Sequence, residues 1–222
     1  MDTLDRPARK QFRIKDPFCG VSHGIGAVLS VVALITLLVV AAGRMWQTIS
    51  FAVYGATLII LYSASCLYHS LMVEDHHAER LKRLDHVGIF LLIAGTYTPV
   101  CLVSLHGPWG WSMLTAEWVM AGLGIAGIVL LKKMPAVLRV ILYLGMGWLA
   151  VIALAPLRAA LPPAAMSWLF AGGITYSVGV IFYATEWPHC WPGRFDGHDL
   201  WHLFVMAGSA CHYVLMLLFI AR

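Results

Sequence analysis

Charged side chains are scarce in this chain, and their scarcity excludes an ordinary water-soluble domain. Only 12% of the 222 residues are Asp, Glu, Lys or Arg, whereas 60% are apolar and the mean hydropathy is +0.80. A typical globular domain has about twice that share of charge. The composition is that of a polytopic membrane protein, so the chain's polar residues must be explained with the bilayer as solvent.

Paired cysteines, basic aromatic patches and internal repeats are also lacking. The cysteines show no CxxC spacing and mostly lie in apolar runs, which excludes a disulfide framework or a zinc ribbon and predicts buried small hydrophobic side chains. The net charge of +4 comes from basic residues beside apolar segments, so we expect contact with anionic lipids and no nucleic-acid partner. Nothing indicates a transporter built from duplicated halves. The five cysteines are Cys19, Cys66, Cys101, Cys190 and Cys211.

Seven stretches have the roughly 20 apolar residues that a membrane span needs. The first is too long and starts too late for a cleavable signal peptide, so we expect it to remain as a helix. The sequence therefore predicts an all-α, seven-transmembrane helix bundle in one domain, 21–222, preceded by a polar basic segment, 1–20. The predicted spans are 21–42, 48–71, 85–105, 110–131, 136–156, 164–185 and 198–221.

Basic residues are distributed unevenly between the two sets of loops. With the N-terminus inside, twelve of the fifteen Lys and Arg residues lie on the inner side, and only Arg44, Arg158 and Arg222 lie outside. Because cytoplasmic loops carry an excess of Lys and Arg, we predict a cytoplasmic N-terminus and an outer C-terminus.

Five polar residues stand at the ends of these apolar stretches. Ser65 and His69 end the second, Asp85 opens the third, and His198 and His202 open the seventh. Residues four apart share one face of a helix. The predicted topology puts all five on the cytoplasmic side. Since polar groups at membrane depth are rare unless they bind something or relay protons, we predict one shared site.

Three imidazoles in one site favour Zn²⁺. The histidines His69, His198 and His202 would leave the fourth tetrahedral position open to water, and hydrolysis is the implied reaction. Asp85 could orient that water or accept its proton, and Ser65 could support the ligands or a substrate carbonyl.

Taken singly, each residue also has a plainer interpretation. Asp85 could cap the third helix, Ser65 could bond its own backbone, and a lone histidine is more often an interfacial or core residue than a ligand. The last interpretation is the one we apply to His76, His77, His106, His189 and His212.

The same residues lie in motifs that together resemble the hemolysin III family, the bacterial branch of the progestin and adipoQ receptor superfamily. The resemblance implies a seven-helix protein of the bacterial inner membrane, with Zn²⁺ held by His69, His198 and His202. It further implies that Asp85 contacts the zinc-bound water and that Ser65 supports the site. The motifs are Ser22-His-Gly-Ile-Gly, Ser65-Cys-Leu-Tyr-His-Ser, Asp85-His, Ala94-Gly-Thr-Tyr-Thr-Pro99 and His198-Asp-Leu-Trp-His-Leu-Phe-Val205.

The first motif departs from the family's common pattern of Glu and Asn ahead of the first-span histidine. Here Asp16 and Cys19 precede His23. Asp16 could stand in for the Glu, and His23 is a supporting candidate only. Glu117, about two turns into the fourth stretch, has no assigned role.

Three functions follow from these expectations. The first is zinc-dependent hydrolysis of a membrane lipid amide or ester, with Asp85 and Ser65 as candidate catalytic residues. The second is a non-catalytic membrane-homeostasis or receptor-like protein with structural zinc, although structural zinc usually has four protein ligands. A pore-forming hemolysin, suggested by the family name, is least favoured, because the chain spends its length on permanent spans and shows no secretion signal.

Overall fold

The computed structural model describes residues 14–131, 134–191 and 195–221, and they are almost wholly helical. No strand occurs in these ranges, in agreement with the predicted all-α fold. The helices are α1 (Pro17–Val40), α2 (Met45–Ser70), α3 (Asp75–Pro99), α4 (Gly107–Leu130), α5 (Ala136–Gly147), α6 (Leu154–Ala160), α7 (Pro163–Thr185) and α8 (Gly197–Leu215). Three short helical segments complete the set: π-helical Val100–Leu105 and Met216–Ile220, which continue α3 and α8, and 3-10 Leu149–Val151.

Part of the sequence-based prediction falls on residues that the structure does not describe. Most of the polar segment 1–20 belongs to this part of the chain. So do eight of the basic residues that set the predicted orientation: Arg6, Arg9, Lys10, Arg13, Lys132, Lys133, Arg194 and Arg222.

Six helices are long and apolar enough to cross a membrane, and the pair α5 and α6, bent by 55°, would form a seventh span. Tyr143 of α5 donates to the His86 carbonyl in the first half of α3, at 2.9 Å. By contrast, α6 packs against Val100–Leu105 beyond the other end of α3. The bent pair therefore traverses the bundle. The chain is a polytopic helical membrane protein.

The predicted fifth span, 136–156, is formed by this bent pair and not by one continuous helix. The helix α5 stops at Gly147, and α6 carries Pro156 in its first turn. Glycine weakens a helix interior, and proline is tolerated in a first turn because its missing N–H is not needed there. These two residues account for a break that hydropathy alone does not reveal.

The third helix begins ten residues earlier than predicted, at Asp75. Its first turns are polar and include a Glu79–Arg83 ion pair at 3.2 Å, four residues apart on one face. Asp85 therefore lies about three turns inside α3. The prediction that Asp85 opens the helix is wrong, and so is the alternative that it caps it. The other span boundaries lie within four residues of their predicted positions.

The core of the bundle is built around α2. Its buried side chains include Phe51, Tyr54 and Leu58, whereas α1 turns large apolar residues such as Val28 and Val39 outward. Outward apolar side chains suit a helix that faces lipid. The polar residues of the predicted site are instead enclosed at the end of the bundle where α1 and α8 begin and α2 ends.

Candidate metal centre

Four side chains of metal-binding type converge at this end of the bundle. The donor atoms of Cys19, His69, His198 and His202 all lie within 4.8 Å of one another. Three of the four residues are buried and His198 is half-buried. The structure thus places the three predicted histidines side by side, although they come from helices about 130 residues apart in sequence.

The start of α8 positions His198 and His202. The Asp196 carboxylate accepts the backbone N–H of His198 at 2.8 Å and that of Asp199 at 3.4 Å. Asp199 in return accepts the backbone N–H of Asp196 at 2.9 Å, which completes a capping box. The box fixes where the helix begins, so His198 falls in the first turn and His202 one turn later.

The end of α2 is tied to the start of α1, and this contact orients His69. The backbone N–H of Asp16 donates to the His69 carbonyl at 2.8 Å, which satisfies one of the carbonyls left open at a helix C-terminus. The Asp16 carboxylate also lies 2.9 Å from His69 Nδ1. A proton on Nδ1 leaves Nε2 as a lone-pair donor, and Nε2 is buried with no hydrogen-bond partner among the described residues.

Cys19 belongs to the cluster, contrary to the prediction of a plain hydrophobic side chain. It is 2% exposed, but its thiol donates to Asp199 Oδ1 at 3.0 Å and its Sγ lies with the histidine nitrogens. His23, one turn further along α1, places its ring 3.9 Å from the ring of His202. Asp16, Cys19 and His23 follow one another at helical spacing, the sequence signal that could have joined them to the site.

Ser65 lies one turn before His69 on α2, and Asp85 of α3 lies beside Ser65; neither is among the four members of the cluster. Ser65 is 1% exposed, one turn before His69, and its hydroxyl has no well-formed hydrogen bond within the described part of the chain. Asp85, half-buried on α3, is within interaction distance of that hydroxyl. The cluster therefore has a hydroxyl one turn from His69, and a carboxylate within reach of that hydroxyl.

The donor set fits zinc. Two nitrogens bound to one tetrahedral Zn²⁺ at 2.0 to 2.1 Å are about 3.3 to 3.4 Å apart. The Nε2 atoms of His198 and His202 are separated by 3.3 Å. Imidazole and thiol are donors that zinc accepts readily, and His69 Nε2 has a buried lone pair that nothing else in the described ranges uses.

His212, His76 and His77 are not members of this centre. His212 is buried in the core, and its Nε2 lies 3.2 Å from the Leu169 carbonyl, whereas its Nδ1 has no hydrogen-bond partner among the described residues. His76 and His77 form a second group of ligand-type side chains with Glu74, but all three are exposed at the start of α3.

Comparison with known proteins decides the family. A family model described as Haemolysin-III related matches residues 12–213. The chain belongs to the hemolysin III family. The Hemolysin-3 homolog of Bacillus subtilis (strain 168) is 39% identical over 214 residues, which cover 95% of this chain and 97% of that protein.

Two further relatives place this hemolysin III protein among bacterial and animal proteins. Hemolysin-3 of Bacillus cereus is 40% identical over 205 residues, covering 90% of this chain and 89% of that protein. The monocyte to macrophage differentiation factor of Homo sapiens is 26% identical over 173 residues, covering 76% of this chain and 69% of that protein. The matches confirm the resemblance to the hemolysin III family and its receptor superfamily.

Proposed function

We propose that this hemolysin III protein is a zinc-dependent hydrolase acting on a lipid amide or ester of the bacterial inner membrane. The observation that supports it is a largely buried cluster of three imidazoles at one end of a membrane bundle, with the Ser65 hydroxyl one turn from His69 and the Asp85 carboxylate within reach of that hydroxyl. Zinc held there would supply Lewis-acid activation of water at neutral pH. The proposal includes a cytoplasmic N-terminus, supported by the loop charges, which puts the cluster in the cytoplasmic leaflet.

Each residue then has a stated task. The histidines His69, His198 and His202 hold the ion, and Asp85 accepts a proton from the attacking water as a general base. The Ser65 hydroxyl donates a hydrogen bond to the Asp85 carboxylate or to the substrate carbonyl.

An apolar cavity in the bundle supports a lipid substrate. It has a volume of about 90 Å³, and its walls include Leu61, Trp201 and Val205. Leu61 lies one turn before Ser65, and Trp201 and Val205 flank His202 on α8. Because apolar walls favour a hydrocarbon chain over a polar metabolite, the cavity suits part of a lipid tail.

A second candidate function is a membrane protein in which zinc is structural. The presence of Cys19 among the donors favours it, since four protein ligands are typical of structural zinc sites. An ion held in this way would tie α1, α2 and α8 together at one end of the bundle.

The variants Asp85→Asn and His202→Ala test the two functions in the full-length protein purified in detergent. We expect His202→Ala to lose both zinc and turnover of a labelled lipid extract. Asp85→Asn should keep zinc and the unfolding temperature while turnover falls by about 10² to 10⁴, the usual contribution of a general base. Matched controls are Asp75→Asn, an exposed carboxylate on the same helix, and His189→Ala, in an exposed loop.

The outcomes are distinct. Zinc removal that lowers the unfolding temperature, with no lipid turnover even when Cys19 is replaced, would favour the structural candidate. A wild-type protein that contains no zinc and binds none when it is supplied would refute both functions.

A further inference from the structure

Cys19 is placed by two independent sets of contacts. On one side, the start of α1 is joined to the end of α2 through the hydrogen bond from the Asp16 N–H to the His69 carbonyl. The neighbouring residue is a glycine, and a Cβ at Gly20 would lie 2.5 Å from Ser70 Oγ. The missing side chain therefore allows α1 to approach α2 closely enough to bring the Cys19 thiol to His69.

On the other side, α8 holds the thiol. The Cys19 S–H donates to Asp199 Oδ1 at 3.0 Å, while Asp199 Oδ2 accepts the Asp196 N–H of the capping box at 2.9 Å. Asp199 therefore joins Cys19 to the same first turn of α8 that carries His198. The Sγ is held among the imidazoles and is shielded from solvent at 2% exposure.

We infer that Cys19 is the fourth protein ligand of the zinc ion, so that the resting site is closed by one sulfur and three nitrogens. The inference rests on the zinc site proposed above. Thiolate sulfur and imidazole nitrogen together form a common tetrahedral zinc set. The thiol binds as its thiolate, and the Asp199 carboxylate that accepts the S–H takes up its proton as the metal binds.

A closed site has a functional consequence. With Cys19 in the fourth position, water and substrate reach the ion only when the sulfur leaves it, so hydrolysis by the wild-type protein is held back. Replacing Cys19 removes that obstacle while leaving the three histidines in place. Turnover of lipid should therefore be higher in the Cys19→Ser variant than in the wild type.

Cobalt substitution tests the inference with a readout other than activity. Full-length wild type, Cys19→Ser and Cys66→Ser are loaded with Co²⁺ in detergent, and their metal content and absorption spectra are recorded. Cys66 is the matched control, because it is a partly buried cysteine on α2 outside the cluster. We expect a thiolate-to-cobalt charge-transfer band in the wild type and in Cys66→Ser, and none in Cys19→Ser. Zinc affinity of Cys19→Ser should fall at least about tenfold.

X-ray absorption of the zinc-loaded wild type needs no substitution and covers the case in which Cys19→Ser does not fold. We expect one sulfur at about 2.3 Å together with nitrogen at 2.0 to 2.1 Å. A metal shell without sulfur, or a cobalt charge-transfer band that persists in Cys19→Ser, overturns the role of Cys19 and leaves the histidine site intact. A wild type that binds neither cobalt nor zinc refutes the proposed zinc site itself.

Discussion

Replacing Asp16 by alanine tests how the carboxylate behind His69 contributes to metal binding. Asp16 Oδ2 lies 2.9 Å from His69 Nδ1 and so determines which ring nitrogen faces the cluster. Loss of such an outer partner typically costs a metal site 10- to 100-fold in affinity, or about 1.4 to 2.7 kcal/mol. The Asp16 side chain is 44% exposed, and Lys15 Nζ shares the same oxygen at 3.5 Å. Solvent and a second cation weaken the contact, so we expect the lower end, about tenfold.

The measurement is competition for zinc between the purified protein and a chromophoric chelator in detergent. Asp16→Asn should bind more tightly than Asp16→Ala, because the amide oxygen can still accept the Nδ1 proton. Asp75→Ala, at the exposed start of α3, is the control. Wild-type affinity in Asp16→Ala, together with loss of binding in His69→Ala, would refute an orienting role for Asp16.

Two further predictions concern the packing around the site and Glu117, a buried carboxylate on α4. A Cβ at Gly88 would lie 2.9 Å from Leu61 Cα, so Gly88→Ala should push α2 and α3 apart and lower the free energy of unfolding by about 1 to 3 kcal/mol. We expect lower lipid turnover with zinc still bound. The control is Gly145→Ala, where no described atom lies within 4 Å of the added Cβ, and it should leave the unfolding temperature and turnover nearly unchanged. Glu117 is 0% exposed, and neither carboxylate oxygen has a hydrogen-bond partner among the described residues. Glu117→Met should therefore stabilise the protein by about 1 to 3 kcal/mol, measured by thermal unfolding. A lower stability of the variant would show that the carboxylate has a partner.

The convergence of the histidines was predictable because membrane helices constrain topology so strongly. Once seven spans are counted, alternate helix ends lie on the same side, and His69 and His198 must share that side whatever the packing. The capping box at Asp196 was not foreseen, but it explains why His198 and His202 present one face. Hydropathy does not predict the early start of α3, because it assigns the charged residues 75–84 to a loop. The Glu79–Arg83 ion pair stabilises a helix there.

Apart from its helical spacing with Asp16 and His23, nothing in the sequence around Cys19 predicts a role in the metal site. A single cysteine in an apolar run, without a second one at metal-binding spacing, is usually a buried hydrophobic side chain. Its partners, His69 and Asp199, lie about 50 and 180 residues away in sequence. Only tertiary packing reveals them, here the close approach of α1 to α2 at Gly20 and the contact of α1 with the first turn of α8.

The two proposed functions differ in whether Cys19 can leave the fourth position beside the three histidines. Cys19 reaches the cluster from α1, whereas Asp85 lies on α3, beside Ser65 of α2. A zinc site closed by three histidines and Cys19 needs no general base. A structural role therefore gives no function to the half-buried Asp85 carboxylate or the buried Ser65 hydroxyl, although burying them costs desolvation energy. A hydrolytic role uses both, provided that Cys19 can be displaced. If lipid turnover rises in Cys19→Ser and disappears when Asp85→Asn is added, Asp85 takes part in the hydrolysis. If no variant turns over lipid, zinc has only a structural role.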